Sequence, residues 1–192
     1  MFNIFTKLHW REQISMVEDF LNSQELAIFR GIRDYLSQNR FFRLNDIIPY
    51  LNQTLDKSLN LNAVGIEKII HSLLKKHVVV PGYKLTWKDV LLNELRENIY
   101  EYIEQNPASY LNQIMKALGI GSHQTLWHLG ILEEFEFIRK TKIGRKKIYF
   151  PADSVPAHDE FHFYMKNKKV MRILKLFQSE HAQKLTKSEM AS

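Results

Sequence analysis

The stretch GSHQTLWHLGILEEFEFIRKTKIGRKKIYF, Gly121–Phe150, changes character halfway along. Its first half reads as a helix carrying Trp127 and two histidines, His123 and His128, with Leu129 and Leu132 toward a core. Its second half alternates apolar and long cationic residues around Gly144, the pattern of a β-hairpin that Phe137 and Ile138 open and Ile148, Tyr149 and Phe150 close. Residues 137–150 hold six cations (Arg139, Lys140, Lys142, Arg145, Lys146 and Lys147) and no acid. Residues 91–136, just upstream, hold seven acids and two cations. The positive charge is therefore concentrated on one narrow ribbon. Long cations on a rigid hairpin suit a phosphate backbone, with arginine giving planar two-point contacts and lysine a point charge. On the preceding helix, Ser122, His123, Gln124, Trp127 and His128 are the candidate DNA contacts. The last four are expected to project outward, where Gln124 has the paired donor and acceptor that read adenine, the equal alternative being that Trp127 packs under the wing and His128 caps a local carbonyl.

Working outward, the chain contains a repeat. IRDYLSQN (Ile32–Asn39) aligns with IYEYIEQN (Ile99–Asn106), and LNDI (Leu44–Ile47) aligns with LNQI (Leu111–Ile114), both at an offset of 67 residues. Two matches at one offset predict two copies of one small fold. Each copy reads as an amphipathic helix, a short second helix, a third helix and a β element. Ser109 is expected to cap the second helix of the second copy, and Ser122 the third. In the first copy the β element shrinks to VVVPGYKLT around Pro81-Gly82. The expected organisation is an N-terminal helix (1–22), a first unit with a reduced wing (23–90), a second unit with a basic wing (91–152) and a C-terminal helical segment (153–192). The expected class is mainly α with small β-hairpin wings, as two tandem winged-helix units with flanking helices.

The run Leu118-Gly119-Ile120, then TLWHLGILE, then FIRK and GRKKIYF, covering about Arg96 to Pro151, resembles the winged helix-turn-helix domains of archaeal and bacterial transcriptional regulators of the ArsR/MarR type. The first copy, about Ser23–Thr86, is a weaker match. The resemblance implies a DNA-binding regulator that uses the third helix and wing of its second unit. Two features depart from the family pattern. Glu136 stands where these domains often have glycine, and the third helix has no basic side chain, which weakens the expectation of base readout more than that of DNA binding. Tandem winged helices also build subunits of the ESCRT-II membrane-sorting complex and accessory subunits of RNA polymerases. A protein–protein scaffold is thus the rival reading, and the acidic helices of the second unit favour it.

Composition narrows the remaining classes. The 192 residues carry a formal charge of +6, which favours polyanionic partners. Cysteine is absent, excluding disulfides and thiol chemistry and fitting a cytoplasmic setting. Nothing in the chain reads as a signal peptide or a membrane span. No phosphate loop or nucleophile elbow is present, so no enzyme, catalytic residue or cofactor is expected. HDEFH (His158–His162) has metal-compatible spacing, but a solvated helix start is the expected reading and no metal is predicted. Apolar stripes at Trp10, Ile14 and Val17 and at Val170, Leu174 and Phe177 suit either packing within the chain or association, the latter as a homodimer on double-stranded DNA. The first unit is expected to serve dimerisation, packing or a protein partner.

Overall fold

A computed structural model describes residues 20–178. The expected N-terminal helix with Trp10, Ile14 and Val17 lies almost wholly outside the described residues. The fold is mainly helical, with one three-stranded antiparallel sheet.

The first helix, α1 (Ser23–Gln38), starts at a capping box. Asn22 Oδ1 accepts from the Glu25 amide at 2.8 Å, and the Glu25 carboxylate accepts from the Asn22 amide at 3.1 Å. Ile28, Phe29, Ile32 and Leu36 then recur at helical spacing and are buried. They pack on α2 (Leu44–Thr54) and α3 (Ala63–Lys75). Glu25 also latches α1 to α3: its carboxylate accepts from Ser72 Oγ at 2.8 Å and from Lys76 Nζ at 2.6 Å. Burial alone would raise the Glu25 carboxyl. The hydrogen bonds from Lys76, Ser72 and the Asn22 backbone, with the Lys76 charge, outweigh burial and hold it below the usual range. The predicted β element of the first half forms one bridge, Val79 to Thr86, around the Pro81-Gly82 turn. The short α4 (Trp87–Val90) follows.

The second half repeats the order with longer strands. Helix α5 (Glu94–Gln105) leads to a two-residue strand β1 (Ser109–Tyr110), then α6 (Leu111–Leu118), a tight turn, and α7 (Ser122–Glu134). Gly119, at φ 66°, closes α6 in the left-handed conformation that glycine adopts most cheaply. The hairpin follows as β2 (Ile138–Ile143) and β3 (Lys146–Pro151), with sheet order β1-β3-β2. Two caps differ from expectation. Tyr110, not Ser109, is the N-cap residue of α6, and Ser109 Oγ donates to Asn106 O at 2.6 Å. Gly121, not Ser122, is the N-cap residue of α7, where Thr125 Oγ donates to Gly121 O at 2.8 Å. In both places the chain enters its helix one residue off the serine, which leaves the hydroxyl outside capping reach. Strand β1 leaves no trace in the sequence, because two residues carry no periodicity.

One buried core runs from Leu21 to Tyr149 and joins elements of both halves. Trp87 stacks on Phe137 with centroids 4.7 Å apart, and Tyr83 meets Phe135 edge-on at 5.8 Å. The residue two past α3, His77, and the residue two past α7, Glu136, are both left-handed, at φ 52° and 55°. They touch each other: His77 Nε2 lies 3.2 Å from Glu136 Oε1, and His77 Nδ1 lies 2.9 Å from Glu134 O. Glu136 thus occupies a backbone position suited to glycine at a cost of about 1–2 kcal/mol, and its side chain meets the matching residue of the first half. Past the hairpin, α8 (Asp159–Met165) and α9 (Lys168–Gln178) complete the described chain.

Candidate nucleic-acid interface

The hairpin register sets which cations share a face. Residues directly opposite point the same way, so Ile138, Lys140 and Lys142 lie with Pro151, Tyr149 and Lys147, whereas Arg139, Thr141 and Ile143 lie with Phe150, Ile148 and Lys146. The first face joins the main core through Ile138 and Tyr149. The second builds a satellite core from Ile143, Ile148, Phe150 and Ala108, covered by Tyr110 and Phe163. Apolar contact fixes the hairpin on both faces of its base and, through Ile143, up to the turn on the second face, while the Gly144-Arg145 loop and the Lys142–Lys147 pair are exposed. The register leaves Gly144 and Arg145 as a two-residue loop, and Gly144 has φ 59° at the position where such loops demand a positive value.

Six cations enter this ribbon, but two are already engaged. Arg139 donates through Nη1 and Nη2 to both oxygens of Asp159, each at 2.6 Å. It also donates to Ser154 O at 3.1 Å and Ser154 Oγ at 2.7 Å, and its guanidinium lies 4.8 Å from the Phe150 ring centroid. Arg139 is therefore a structural tie between the wing base and α8, which corrects its expected role as a phosphate contact. Lys140 bonds Glu133 of α7 at 2.9 Å, and that bond raises its pKa. An exposed pair of this kind contributes at most about 1 kcal/mol, so Glu133 shields Lys140 without locking it away.

Lys142, Arg145, Lys146 and Lys147 are exposed at the tip and have no carboxylate partner among the described residues. Lys142 and Lys147 face each other across the strand pair. Like charges so placed destabilise a hairpin, and an anion between them would reverse the sign. Lys146 Nζ sits 4.4 Å from the Tyr110 ring centroid. Lys146, Lys147, Tyr149, Tyr110, Asn112 and Leu126 line a groove that runs from the wing to α6 and α7.

On α7, Ser122, His123 and Gln124 are exposed, and so is Trp127, at 57%. His128 is not: it is 4% exposed, which corrects its expected outward position. The buried face of α7 consists of Thr125, His128, Leu129, Ile131 and Leu132. Burial lowers the His128 pKa, and the neighbouring Arg96 charge lowers it further. Arg96 itself is 3% exposed, donates to Val90 O at 2.6 Å, and lies 5.7 Å from the Trp127 ring centroid. Trp127 is thus held over a buried guanidinium, with much of its ring toward solvent. In the HDEFH segment, Asp159 is taken by Arg139, and the rings of His158 and His162 are 6.5 Å apart.

The first half offers a counterpart that sequence reasoning missed. Arg40, Phe41 and Arg43 are exposed just before α2, and Phe41 to Asn45 line a groove against the Pro81-Gly82 turn. Its sequence signal was the run NRFFR, two cations around paired aromatics.

No helix among the described residues is long and apolar enough to cross a membrane. Over 79 residues the chain is 40% identical to an uncharacterized HTH-type transcriptional regulator of Methanocaldococcus jannaschii. The match takes in 41% of this chain and 20% of the relative, so the chain spans about a fifth of the relative's length. No family model and no solved structure matches the chain.

Proposed function

We propose that this chain is a DNA-binding transcriptional regulator made of two winged-helix units, and that the wing tip and the start of α7 in its second unit meet duplex DNA. One observation carries the reading: four exposed cations on a braced hairpin tip, unpaired by any carboxylate among the described residues, with Lys142 and Lys147 opposed. A ribbon whose charges repel one another is stabilised by a polyanion along it. The regulator to which the chain is similar supports the same reading. The contact set is Ser122, His123, Gln124 and Trp127 on α7 with Lys142, Arg145, Lys146 and Lys147 on the wing. The test is titration of labelled duplexes with the full chain across a range of salt. Affinity that falls steeply with salt supports the reading, and affinity for no duplex returns the choice to a protein–protein scaffold.

Base readout rests on Gln124, because α7 presents no cation to a guanine edge. Replacing Gln124 with alanine is expected to cost about 1–3 kcal/mol on a duplex selected from random sequence and little on unselected DNA. Equal losses on both would assign Gln124 to the backbone.

One weakly charged reading helix spans few base pairs, so useful selectivity calls for a two-fold dimer. The seam we infer is on α8 and α9, where Phe161 and Phe177 are 60% and 58% exposed beside Tyr164 and Leu174. Light scattering is expected to give twice the 22.8 kDa chain mass. A monomer at micromolar concentrations would reject the dimer. A regulator of this kind works where the chromosome is, in keeping with a cytoplasmic setting.

A further inference from the structure

The groove before α2 corresponds to the wing groove at the start of its second helix. Leu44 and Asn45 open α2, and Leu111 and Asn112, 67 residues later, open α6. Each pair lines a groove against the β element that follows its third helix: the Pro81-Gly82 turn in the first half, Lys146 and Lys147 of β3 in the second. Each groove holds an aromatic ring with a cation against it. The Arg43 guanidinium is 5.4 Å from the Phe41 centroid, as Lys146 is from Tyr110 at 4.4 Å.

Phe41 is 41% exposed, while its neighbour Phe42 is 1% exposed in the core. The Gly82 amide donates to Phe42 O at 3.4 Å and holds the turn against the loop. Arg40, Arg43 and Lys84 are exposed, and no carboxylate bonds them among the described residues. Asp46, in the first turn of α2, is the acid closest along the chain to Arg43, and it makes no ion pair with it. A guanidinium lying on a ring keeps its in-plane donors free for phosphate. The ring itself offers an apolar face to a sugar.

We propose that Arg40, Phe41 and Arg43 form a second contact for the sugar–phosphate backbone of duplex DNA, on the half of the chain whose hairpin has shrunk to one bridge. Arg40 and Arg43 take phosphates, and Phe41 lies against the adjoining deoxyribose. The inference rests on the DNA-binding reading above and adds that both halves of the chain touch one duplex.

The experiment compares the full chain with R40A/R43A, R40K/R43K and F41A on a 40-base-pair duplex, by anisotropy across salt and by hydroxyl-radical footprinting. R40A/R43A is expected to flatten the log–log salt slope by about 2 units per bound protomer, at roughly 0.9 per phosphate. The lysine pair should restore the slope. F41A should weaken binding several-fold without changing it. In R40A/R43A the footprint should lose protection at sugars that the wing variant R145A/K146A/K147A leaves protected. All these side chains are exposed, so melting temperatures should match the parent. An unchanged slope and footprint in R40A/R43A, beside a flattened slope in the wing variant, overturns this inference alone. A parent chain with no salt-dependent affinity for the duplex overturns this inference and the DNA-binding reading together.

Discussion

Replacing Arg145, Lys146 and Lys147 together with alanine is expected to flatten the salt dependence of DNA binding by about 2 to 3 log units per log unit of salt for each bound protomer. The four free tip cations give the parent wing a slope of roughly −3.6 per protomer, at about −0.9 for each phosphate. Between 50 and 200 mM salt, the wing's share of the loss of affinity is about 150-fold, against about 4-fold once only Lys142 remains at the tip. The effect should be uniform across sequences, since backbone contacts carry no base information. The variant should also fold normally. The three side chains are exposed, Gly144 still supplies the turn, and removing Lys147 relieves its repulsion with Lys142. Anisotropy titrations on one selected and one unselected duplex measure this. A slope that does not move would mean that the wing is not the phosphate clamp.

The sequence carried the order of elements because the apolar periodicities are strong where packing is local. Ile28, Phe29, Ile32 and Leu36 are buried on one face of α1, and the β2–β3 hairpin turns at Gly144 as its alternation predicts. The site was less legible, for two reasons. On α7 the polarity pattern is mixed: polar Thr125 and His128 are buried beside Leu129, Ile131 and Leu132, while apolar Leu126 and Trp127 face out. Polarity alone therefore misplaces His128, while Leu129, Leu132 and Trp127 fall where their spacing puts them. The second reason is separation along the chain. Arg139 meets Asp159 twenty residues later, and Lys140 meets Glu133 across a helix-to-strand junction, so neither pair leaves a periodic trace. Six clustered cations looked equivalent in sequence, yet packing assigns one to the framework, half-shields another and leaves four for a ligand. The NRFFR loop is the opposite case, legible in composition but without meaning until the turn at Gly82 is seen folded against it.

Arg139→Ala is expected to destabilise the fold by about 3 kcal/mol while leaving the salt slope of DNA binding unchanged. The reason lies in what the change abandons. Asp159 is 7% exposed, and both of its oxygens accept from Arg139. Removing one partner of a pair this far from water leaves an uncompensated charge, which costs about 3–5 kcal/mol when burial is complete. The Arg139 side chain keeps 22% of its exposure, so the lower end applies. Ser154 loses both of its bonds to the guanidinium, and Phe150 loses the cation over its ring. In a chain of this length, 3 kcal/mol lowers the melting temperature by about 6–12 °C. Asp159→Ala alone should destabilise comparably, because it strands Arg139 at the same place. The double variant should recover part of the loss, since neither charge is then left without its partner. Thermal melts of the four proteins give the coupling directly, and additive losses would mean that the pair does not act as a unit. The same proteins, titrated with DNA well below their melting points, separate the framework cation from the tip. If Arg139→Ala flattens the salt slope by about one unit, Arg139 leaves Asp159 to meet a phosphate when DNA arrives, and the tie at the wing base belongs to the free protein only.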